Sequence, residues 1–254
     1  MPLWQGNEPQ VMAEKQAQLP PVPALDARLL AAAAYVRRGA LAADIGCDHG
    51  KLAVYLARTG AARRVVAADI RPAPLARARA LVEKHGCGAV VECRLGDGLS
   101  VLEPYEADDI VIAGVSGVTA AEMLAAAPQF WQAGRRFIFV PATKRAELRG
   151  WLWKNGFSLL EETPVQAAGR FYTALCAEYT GRVHAPSLLE CAAGLAAKPT
   201  SAAAGYLRHV AKLVRKYTLG VPQAERAPFE RLAGQVDAMA EQCEREAREW
   251  AQKR

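Results

Sequence analysis

The chain of 254 residues lacks several features that would place it in a broad class of protein. No run of about eighteen uncharged apolar residues occurs, so the sequence predicts no membrane-spanning helix and no membrane partner. Residues Met1 to Pro23 lack the apolar segment of a secretory signal, and we expect a cytoplasmic protein. The six cysteines are scattered and include no Cys-x-x-Cys pair, so the sequence predicts neither a metal site nor a disulfide framework.

Acidic residues are missing from one long stretch near the C-terminus. No aspartate or glutamate occurs between Cys191 and Ala224, whereas that stretch contains five cationic side chains: Lys198, Arg208, Lys212, Arg215 and Lys216. The whole chain has a formal net charge of +6, which is modest evidence for a polyanionic partner. A basic stretch is usually only a solvated helix face, so the pattern alone leaves both interpretations open.

Apolar residues make up 52% of the chain, and they recur as short strand-like runs separated by helical patterns. The strand-like runs cover 41–46, 63–69, 89–95, 109–113 and 135–140. The helical patterns cover 50–59, 72–85, 117–127 and 143–154, and Thr143 is a candidate N-cap of the last. This alternation predicts an α/β fold with a parallel sheet. The final runs, 157–163 and 171–179, are too close for a crossover helix, so we expect an antiparallel hairpin.

The sequence between Leu41 and Gly50 predicts a strand that ends in a ligand-binding loop. Its apolar run ends in Asp44, and the next apolar run ends in Asp69, where a nucleotide-binding unit presents an acid to a ribose. Asp48 occupies the place of the middle glycine in a dinucleotide motif, where its charge would repel a pyrophosphate. It would tolerate the cationic groups of S-adenosylmethionine. A strand-to-helix turn that binds nothing would show the same pattern.

After Gly181 the sequence predicts helices without strands. The first helix carries an apolar stripe opposite its basic side chains, formed by Tyr206, Val210, Leu213, Val214 and Tyr217. The second has apolar residues at alternating spacings of three and four, with one step missing at Glu246, namely Phe229, Leu232, Val236, Met239, Cys243 and Trp250. We expect an antiparallel coiled-coil hairpin with a continuous basic face. That hairpin could bind RNA, cap the main domain or form a dimer.

These motifs resemble the bacterial tRNA adenine N1-methyltransferases that modify position 22. The resemblance runs from about Leu25 to the C-terminus and depends on Asp44-Ile-Gly-Cys-Asp-His-Gly, Gly96-Asp97-Gly98-Leu99, Ile112-Ala113-Gly114 and the helical hairpin. It implies a Rossmann-like class I methyltransferase sheet with an antiparallel last strand. It also implies S-adenosylmethionine as cofactor and tRNA as partner.

The same resemblance implies a domain organisation and a set of site residues. We expect an N-terminal extension over 1–24, a methyltransferase domain over 25–181 and a helical coiled-coil domain over 182–254, in a monomer. The cofactor-binding residues would be Asp44, Gly46, Cys47, Asp48, Gly50, Asp69, Ile70, Asp97, Gly98, Ala113 and Gly114. The RNA-binding residues would be Arg208, Lys212, Arg215 and Lys216.

Two loops depart from the pattern of this family. After the fourth strand the chain has Ala113-Gly114-Val115-Ser116-Gly117 instead of Ala-Gly-Met-Gly-Gly, and the fifth strand ends in Val140-Pro141-Ala142 instead of Gln-Pro-Asn. Both loops should face the substrate, because ligands bind beyond the carboxyl ends of parallel strands. Three alternatives therefore stay open: an adenine methyltransferase with a variant pocket, a relative acting on another nucleotide, or a cofactor-binding RNA-binding protein without turnover.

Methyl transfer to adenine N1 needs orientation more than a strong base, because this nitrogen is unprotonated at neutral pH. N1 lies on the pairing edge, so the base must be unpaired and turned out. The product is cationic, and we predict that Asp48, in the loop nearest the sulfonium, stabilises it. His49 is the second candidate, orienting Asp48 or contacting the base, although a loop histidine is more often structural. Ser116 lacks a histidine and acid pattern, which argues against a serine nucleophile.

Overall fold

The computed structural model describes residues 19–252, so most of the predicted extension over 1–24 lies outside the described residues. The strands are β1 (Ala40–Ile45), β2 (Ala62–Asp69), β3 (Val91–Leu95), β4 (Asp109–Ala113), β5 (Arg136–Val140), β6 (Phe157–Ala167) and β7 (Arg170–Tyr179). The helices are α1 (Ala27–Tyr35), α2 (Lys51–Arg58), α3 (Pro72–Lys84), α4 (Gly117–Ala125), α5 (Arg145–Lys154), α6 (Leu188–Ala193), α7 (Ser201–Thr218) and α8 (Ala227–Gln252).

The seven strands of residues 19–252 form one sheet in the order β3-β2-β1-β4-β5-β7-β6. The first five run parallel, and β7 pairs antiparallel with β5, which confirms the predicted Rossmann-like sheet with its antiparallel last strand. The strand order reverses at β1, whose neighbours are β2 and β4. A crevice opens at such a reversal, beyond the carboxyl ends of the strands, and it is where ligands bind in open α/β sheets.

The apolar runs form strands because both faces of the sheet are covered. In β5, Phe137 and Phe139 pack into the cluster under α4 and α5, whereas Ile138 and Val140 pack into the cluster under α1, α2 and α3. Successive side chains of a strand point to opposite faces, so a strand buried on both sides must be apolar throughout. This double burial explains why the strand-like runs could be located from sequence.

The β6–β7 hairpin is longer than predicted. Strand β6 continues through Pro164 to Ala167, and only Ala168 and Gly169 form the turn. The prediction ended at residue 163 because proline interrupts most strands. Strand β6 lies at the edge of the sheet, where a proline is tolerated because the missing N–H is not required by a second neighbour. The hairpin therefore extends past the end of β5.

The prediction that Thr143 is the N-cap of α5 was wrong. Helix α5 begins after Lys144, which has a left-handed φ of 58° and makes no side-chain cap hydrogen bond. Thr143 instead forms an isolated parallel bridge with Ser116, and its carbonyl accepts a hydrogen bond from the Gly117 N–H. Thr143 thus extends the contact between the loops that follow β4 and β5.

Helices α7 and α8 form an antiparallel hairpin, as predicted. Arg208 pairs with Glu244, and Arg215 pairs with Asp237. The partner's residue number decreases along α8 as the number increases along α7, which shows that the two helices are antiparallel. The buried contacts come from Leu207, Val210, Ala211, Leu232, Val236, Ala240 and Cys243. Three residues predicted in the apolar stripes, Leu213, Tyr217 and Trp250, are exposed. The regular side-chain packing of a coiled coil stays a prediction, as do the domain boundaries.

A buried ion pair between Arg149 on α5 and Glu162 on β6 lies where the hairpin meets the sheet. Both side chains are fully buried. Arg149 donates a 2.7 Å hydrogen bond to the Tyr206 hydroxyl on α7 and two more to the carbonyls of α6. Glu162 accepts from Thr173 at 2.7 Å and from the Leu195 N–H at 3.0 Å. This pair therefore joins α5, β6, β7, α6 and α7.

No helix among residues 19–252 is long and apolar enough to cross a membrane.

Candidate functional site

A cleft of about 270 Å³ lies at the crevice between the carboxyl ends of β1, β4 and β5 and the start of α1. The structure brings seven of the predicted site residues to its wall: Asp44, Gly46, Cys47, Asp48, His49, Ala113 and Gly114. Sequence analysis missed three polar lining residues, Asp26, Arg28 and Lys51. Asp26 caps α1 and hydrogen-bonds Arg28, and only tertiary packing brings this helix start to the sheet.

A second cleft of about 430 Å³ lies beside the turn that follows β3. It contains the predicted residues Asp97 and Gly98, together with Thr119, Glu122 and Met123 of α4. Ile70, which follows β2 directly after the buried Asp69, lines neither cleft and is 59% exposed. These residues share the carboxyl edge of the sheet with the first cleft.

Asp44 lines the first cleft, and one oxygen of its carboxylate has no hydrogen-bond partner among the described residues. The residue is 3% exposed, and this oxygen is its Oδ2. Burial, together with the nearby charges of Asp69 and Asp48, raises the pKa of this carboxyl from its ordinary value of 3.8 to about 7. A buried acceptor without a partner is costly, so a cationic donor in the cleft would be bound favourably.

The loop after β1 leaves open space beside its backbone. The N–H groups of Gly46 and Cys47 both donate to the Ala68 carbonyl at 2.8 Å, which fixes the loop against the end of β2. A Cβ atom placed at Gly46 or Gly114 would meet nothing within 4 Å. Cys47 is buried, and burial raises the pKa of its thiol. The two glycines therefore border a space that a ligand can fill.

Asp69 holds the loops on either side of it. Its Oδ2 accepts from the Asp48 N–H at 3.1 Å, and its Oδ1 accepts from the Arg71 N–H at 2.9 Å. Each carboxylate oxygen has a second lone pair, so acceptor capacity remains for a ligand hydroxyl. The Arg71 Nε lies 3.5 Å from the Asp69 Oδ1. Sequence analysis did not identify Arg71 as a site residue.

Asp48 projects from a strained position into the cleft. Its φ is 49°, a left-handed conformation that aspartate tolerates better than most residues. Its side chain is 57% exposed, and the His49 Nε2 lies 3.4 Å from its Oδ2. The structure therefore brings the two predicted catalytic residues together, in an arrangement in which His49 can orient Asp48.

Gly50 does not line either cleft and has a packing role instead. A Cβ atom at this position would lie 2.8 Å from the Cβ of Ala78. Gly50 precedes α2, and Ala78 lies on α3, so the missing side chain lets the two helices approach closely. This steric role explains the glycine, and the contact of Gly50 with the cofactor stays a prediction.

The two loops that depart from the family pattern are joined to each other. The Gly114 N–H donates to the Val140 carbonyl, the Ala142 N–H to the Val115 carbonyl, and the Gly117 N–H to the Thr143 carbonyl, at 2.8–2.9 Å. Ser116 caps α4 by accepting from the Thr119 N–H at 3.1 Å. The loops therefore form one short parallel extension of the sheet, which we call the joined loops.

The predicted basic face of α7 is not continuous. Arg208 makes two 2.6 Å hydrogen bonds to Glu244, and Arg215 pairs with Asp237, so acids of α8 neutralise both arginines. The sequence of α7 alone could not show this, because the acids lie more than twenty residues away. Lys212 and Lys216 are exposed and form no ion pair among the described residues.

Within the described part of the chain, no group of three or more histidine, cysteine, aspartate or glutamate side chains is placed to hold a metal ion.

Comparison with known proteins gives concordant results. Residues 25–175 match a family model described as a methyltransferase domain. The tRNA (adenine(22)-N(1))-methyltransferase of Bacillus subtilis (strain 168) is 34% identical over 175 residues, which cover 69% of this chain and 74% of that protein.

Solved structures show the same architecture. The crystal structure of the B. subtilis m1A22 tRNA methyltransferase superposes with a TM-score of 0.71 at 27% identity, covering 88% of this chain and 99% of that one. The M. capricolum protein TrmK, in complex with S-adenosylhomocysteine, superposes with a TM-score of 0.67 at 20% identity, covering 86% and 97% of the two chains. The latter similarity concerns the fold alone.

Proposed function

This chain belongs to the tRNA (adenine(22)-N(1))-methyltransferase family, and we propose that it methylates N1 of the adenine at position 22 of a tRNA. The methyl donor is S-adenosylmethionine. The observation that carries the proposal is the unsatisfied Asp44 carboxylate oxygen beside the open backbone of Gly46 and Gly114. This arrangement lies in the crevice where the fold binds its ligands.

The residues of the crevice fit this cofactor. The unsatisfied Asp44 oxygen suits the ammonium group of the methionine moiety, and the space beside Gly46 and Gly114 accommodates its chain. Asp69 has lone pairs for the ribose hydroxyls, and the exposed Ile70 offers an apolar surface for the adenine ring. Asp97 and Gly98 complete the adenine end of the site in this proposal. When bound, S-adenosylmethionine supplies a methyl group activated by a positively charged sulfur.

The chain itself supplies position and charge. Asp69 fixes the backbone of Asp48, whose exposed carboxylate faces the cleft and stabilises the positive charge that develops on the purine. His49 orients Asp48 through its 3.4 Å contact. The adenine N1 carries its own lone pair, so the site needs no strong base. The base must be unpaired and turned out of the RNA before it can enter.

The direct test is to incubate the protein with isotopically labelled S-adenosylmethionine and unmodified bulk tRNA, and then to identify the methylated nucleoside. We expect 1-methyladenosine. Label in another nucleoside would show a relative with a different target, and the absence of any label in RNA would show that the joined loops no longer permit turnover. A protein that methylates only small molecules would retain activity after deletion of residues 181–254.

The raised pKa of Asp44 predicts a pH dependence of cofactor binding. Only the ionised carboxylate attracts an ammonium group, so affinity for S-adenosylhomocysteine should fall as pH decreases through about 7, approaching tenfold per pH unit. Titration calorimetry between pH 8 and 5.5 measures this change in affinity directly.

The raised pKa of Asp44 also affects the stability of the protein without cofactor, and this effect has the opposite dependence on pH. Folding retains a proton that the unfolded chain loses above pH 3.8, so the free energy of unfolding decreases as pH rises toward 7.

Asp44→Asn is the matched control for this prediction, because it keeps the shape of the side chain and removes its titration. The variant should bind more weakly at pH 8 and show a much flatter pH profile. A flat profile in the wild-type protein, or an equally steep one in the variant, would contradict the role of Asp44.

For tRNA binding, the free lysines of α7 are better candidates than the paired arginines. Phosphate contacts release counterions, so replacing Lys212 and Lys216 together with glutamate should raise the tRNA dissociation constant and reduce the salt slope by about two. Filter binding at several salt concentrations measures both quantities. Lys84→Glu, at the end of α3 near the opposite edge of the sheet, is the control and should leave the slope unchanged. Identical slopes in all three proteins would show that this face is only solvated.

We further propose that the protein acts in the cytoplasm as a monomer. The methyltransferase domain would span 25–181 and the helical domain 182–254, because the last strand ends at Tyr179 and only helices follow.

A further inference from the structure

Four side chains form an alternating row of cations and aromatic rings that runs from the first cleft, which Arg28 lines, to the fully buried Tyr206. The Arg28 guanidinium lies 4.8 Å from the ring centre of Tyr172, and the Arg145 guanidinium lies 5.9 Å from the same centre. Arg145 also lies 5.8 Å from the ring centre of Tyr206. These distances are within the range of cation–π attraction, which favours planar guanidinium groups. We call this row the rim stack.

The rim stack lies on the side where a substrate must approach. Arg28 lines the same cleft as Asp48 and Gly114. Strand β7 runs antiparallel to β5, and Leu175 pairs with Phe139, so Tyr172 lies past the carboxyl end of β5. Arg145 follows the joined loops and begins α5. The partly exposed members of the rim stack, Arg28, Tyr172 and Arg145, thus lie on the side from which a turned-out nucleotide would reach the cleft.

Arg145 differs from its neighbour Arg28 in that its charge is not neutralised. Arg28 donates to Asp26 through Nε at 3.1 Å and Nη2 at 2.6 Å. Arg145 has no acidic partner within 4.0 Å among the described residues; its Nη2 donates to the Phe171 carbonyl at 2.8 Å. Its Nε is buried and has no hydrogen-bond partner there. A buried donor of a charged group without a partner is costly, which favours binding of an anion.

The surroundings of Arg145 also connect the catalytic cleft with the helical hairpin. A mainly apolar groove of about 370 Å³ between α5 and the hairpin includes Arg145, Tyr206, Tyr217 and the paired Lys144 and Glu147 in its lining. Tyr217 belongs to α7, one residue after Lys216. An RNA strand that passes from the hairpin lysines to the cleft therefore meets Arg145 on the way.

We propose that Arg145 binds a phosphate adjoining the target nucleotide, and that Tyr172 and Tyr206 are positioning residues that hold its guanidinium at the rim. This inference rests on the proposed function, because it assumes that an RNA is the substrate. The planar guanidinium suits a phosphate, to which it can donate two parallel hydrogen bonds. The two rings restrict its movement before the RNA arrives, which lowers the entropic cost of binding.

The test is Arg145→Gln, which removes the charge and keeps most of the side-chain volume. The KM for tRNA should rise about tenfold to a hundredfold, in the range of a lost hydrogen bond to a charged group. The salt slope of tRNA binding should decrease by about one. The melting temperature, the dissociation constant for S-adenosylhomocysteine and kcat at saturating tRNA should stay close to the wild-type values. Arg38→Gln is the control, because this exposed arginine precedes β1 at the amino end of the parallel strands, away from the clefts.

A second pair of variants tests the positioning role. Tyr172→Phe keeps the ring and should behave as wild type, whereas Tyr172→Leu should raise the KM for tRNA in the same direction as Arg145→Gln. An unchanged KM and salt slope in Arg145→Gln would overturn the proposal. A parallel loss of cofactor affinity or thermal stability would also overturn it, in favour of a structural role. The salt slope of tRNA binding is measured without turnover, so a wild-type protein that binds tRNA but methylates nothing would contradict the proposed function and leave the salt-slope test of Arg145→Gln valid.

Discussion

Replacing Asp48 with asparagine should lower kcat by about a hundredfold to a thousandfold and change the affinity for S-adenosylhomocysteine far less. The loss is of the size seen when one preorganised electrostatic group is removed from an active site. Asp48 is suited to this role because its carboxylate is half exposed to the cleft, and its backbone is fixed by Asp69. Positive charge moves from sulfur to purine only during the reaction, so a carboxylate at this position acts on the transition state.

Asparagine is the informative substitution because it tolerates the left-handed φ of 49° at this position and removes only the charge. Alanine would add backbone strain and disturb the loop as well. Single-turnover methyl transfer gives the rate, and calorimetry gives the affinity. His49→Gln is the companion variant, and its smaller loss of rate would support an orienting role. Equal losses of rate and affinity in Asp48→Asn would show that Asp48 only shapes the loop.

Breaking the buried ion pair should have the largest effect on stability. Arg149→Met would leave the Glu162 carboxylate fully buried without its charge partner, and we expect the free energy of unfolding to decrease by about 3–5 kcal/mol. The Tyr206 hydroxyl and two carbonyls of α6 would lose their donor as well. Denaturant unfolding followed by circular dichroism measures the change.

An exposed ion pair provides the control for this experiment. Arg64 pairs with Glu92 at 2.6 Å, but both side chains are about half exposed. Arg64→Met should therefore change the free energy of unfolding by less than about 1 kcal/mol. If Arg149→Met were equally mild, the ion pair would contribute little to joining the hairpin to the sheet. A double variant with Glu162→Leu should recover part of the lost stability, because it removes the unpaired charge.

The sheet and the loops at its carboxyl edge could be predicted because their signals are local. Apolar runs buried on both faces end in Asp44, Asp69 and Ala113, and parallel strands necessarily bring those ends together. The same reasoning placed Asp48 and His49 beside the crevice, and the structure brings both to the cleft wall. Their chemical roles stay predictions that the variants above can test.

Features that depend on distant partners could not be predicted. Arg28 reaches the cleft only because α1 packs across the sheet, and no spacing in the sequence connects it with Asp44. Arg208 and Arg215 look free on a helical projection of α7, but the register of α8 places Glu244 and Asp237 opposite them. Pro164 resembles a strand end until β6 is known to be an edge strand.

The joined loops have a consequence for attempts to change the target base. A Cβ atom at Gly117 would lie 2.1 Å from the Lys144 carbonyl oxygen, so the start of α4 tolerates no side chain while the β5 loop keeps its path. Three backbone hydrogen bonds tie the same segments together. The conformations of residues 114–117 and 140–144 therefore depend on each other, and the two segments form one structural unit. A graft from a relative should transfer both segments at once, whereas a chimera that receives only one would combine two incompatible backbones.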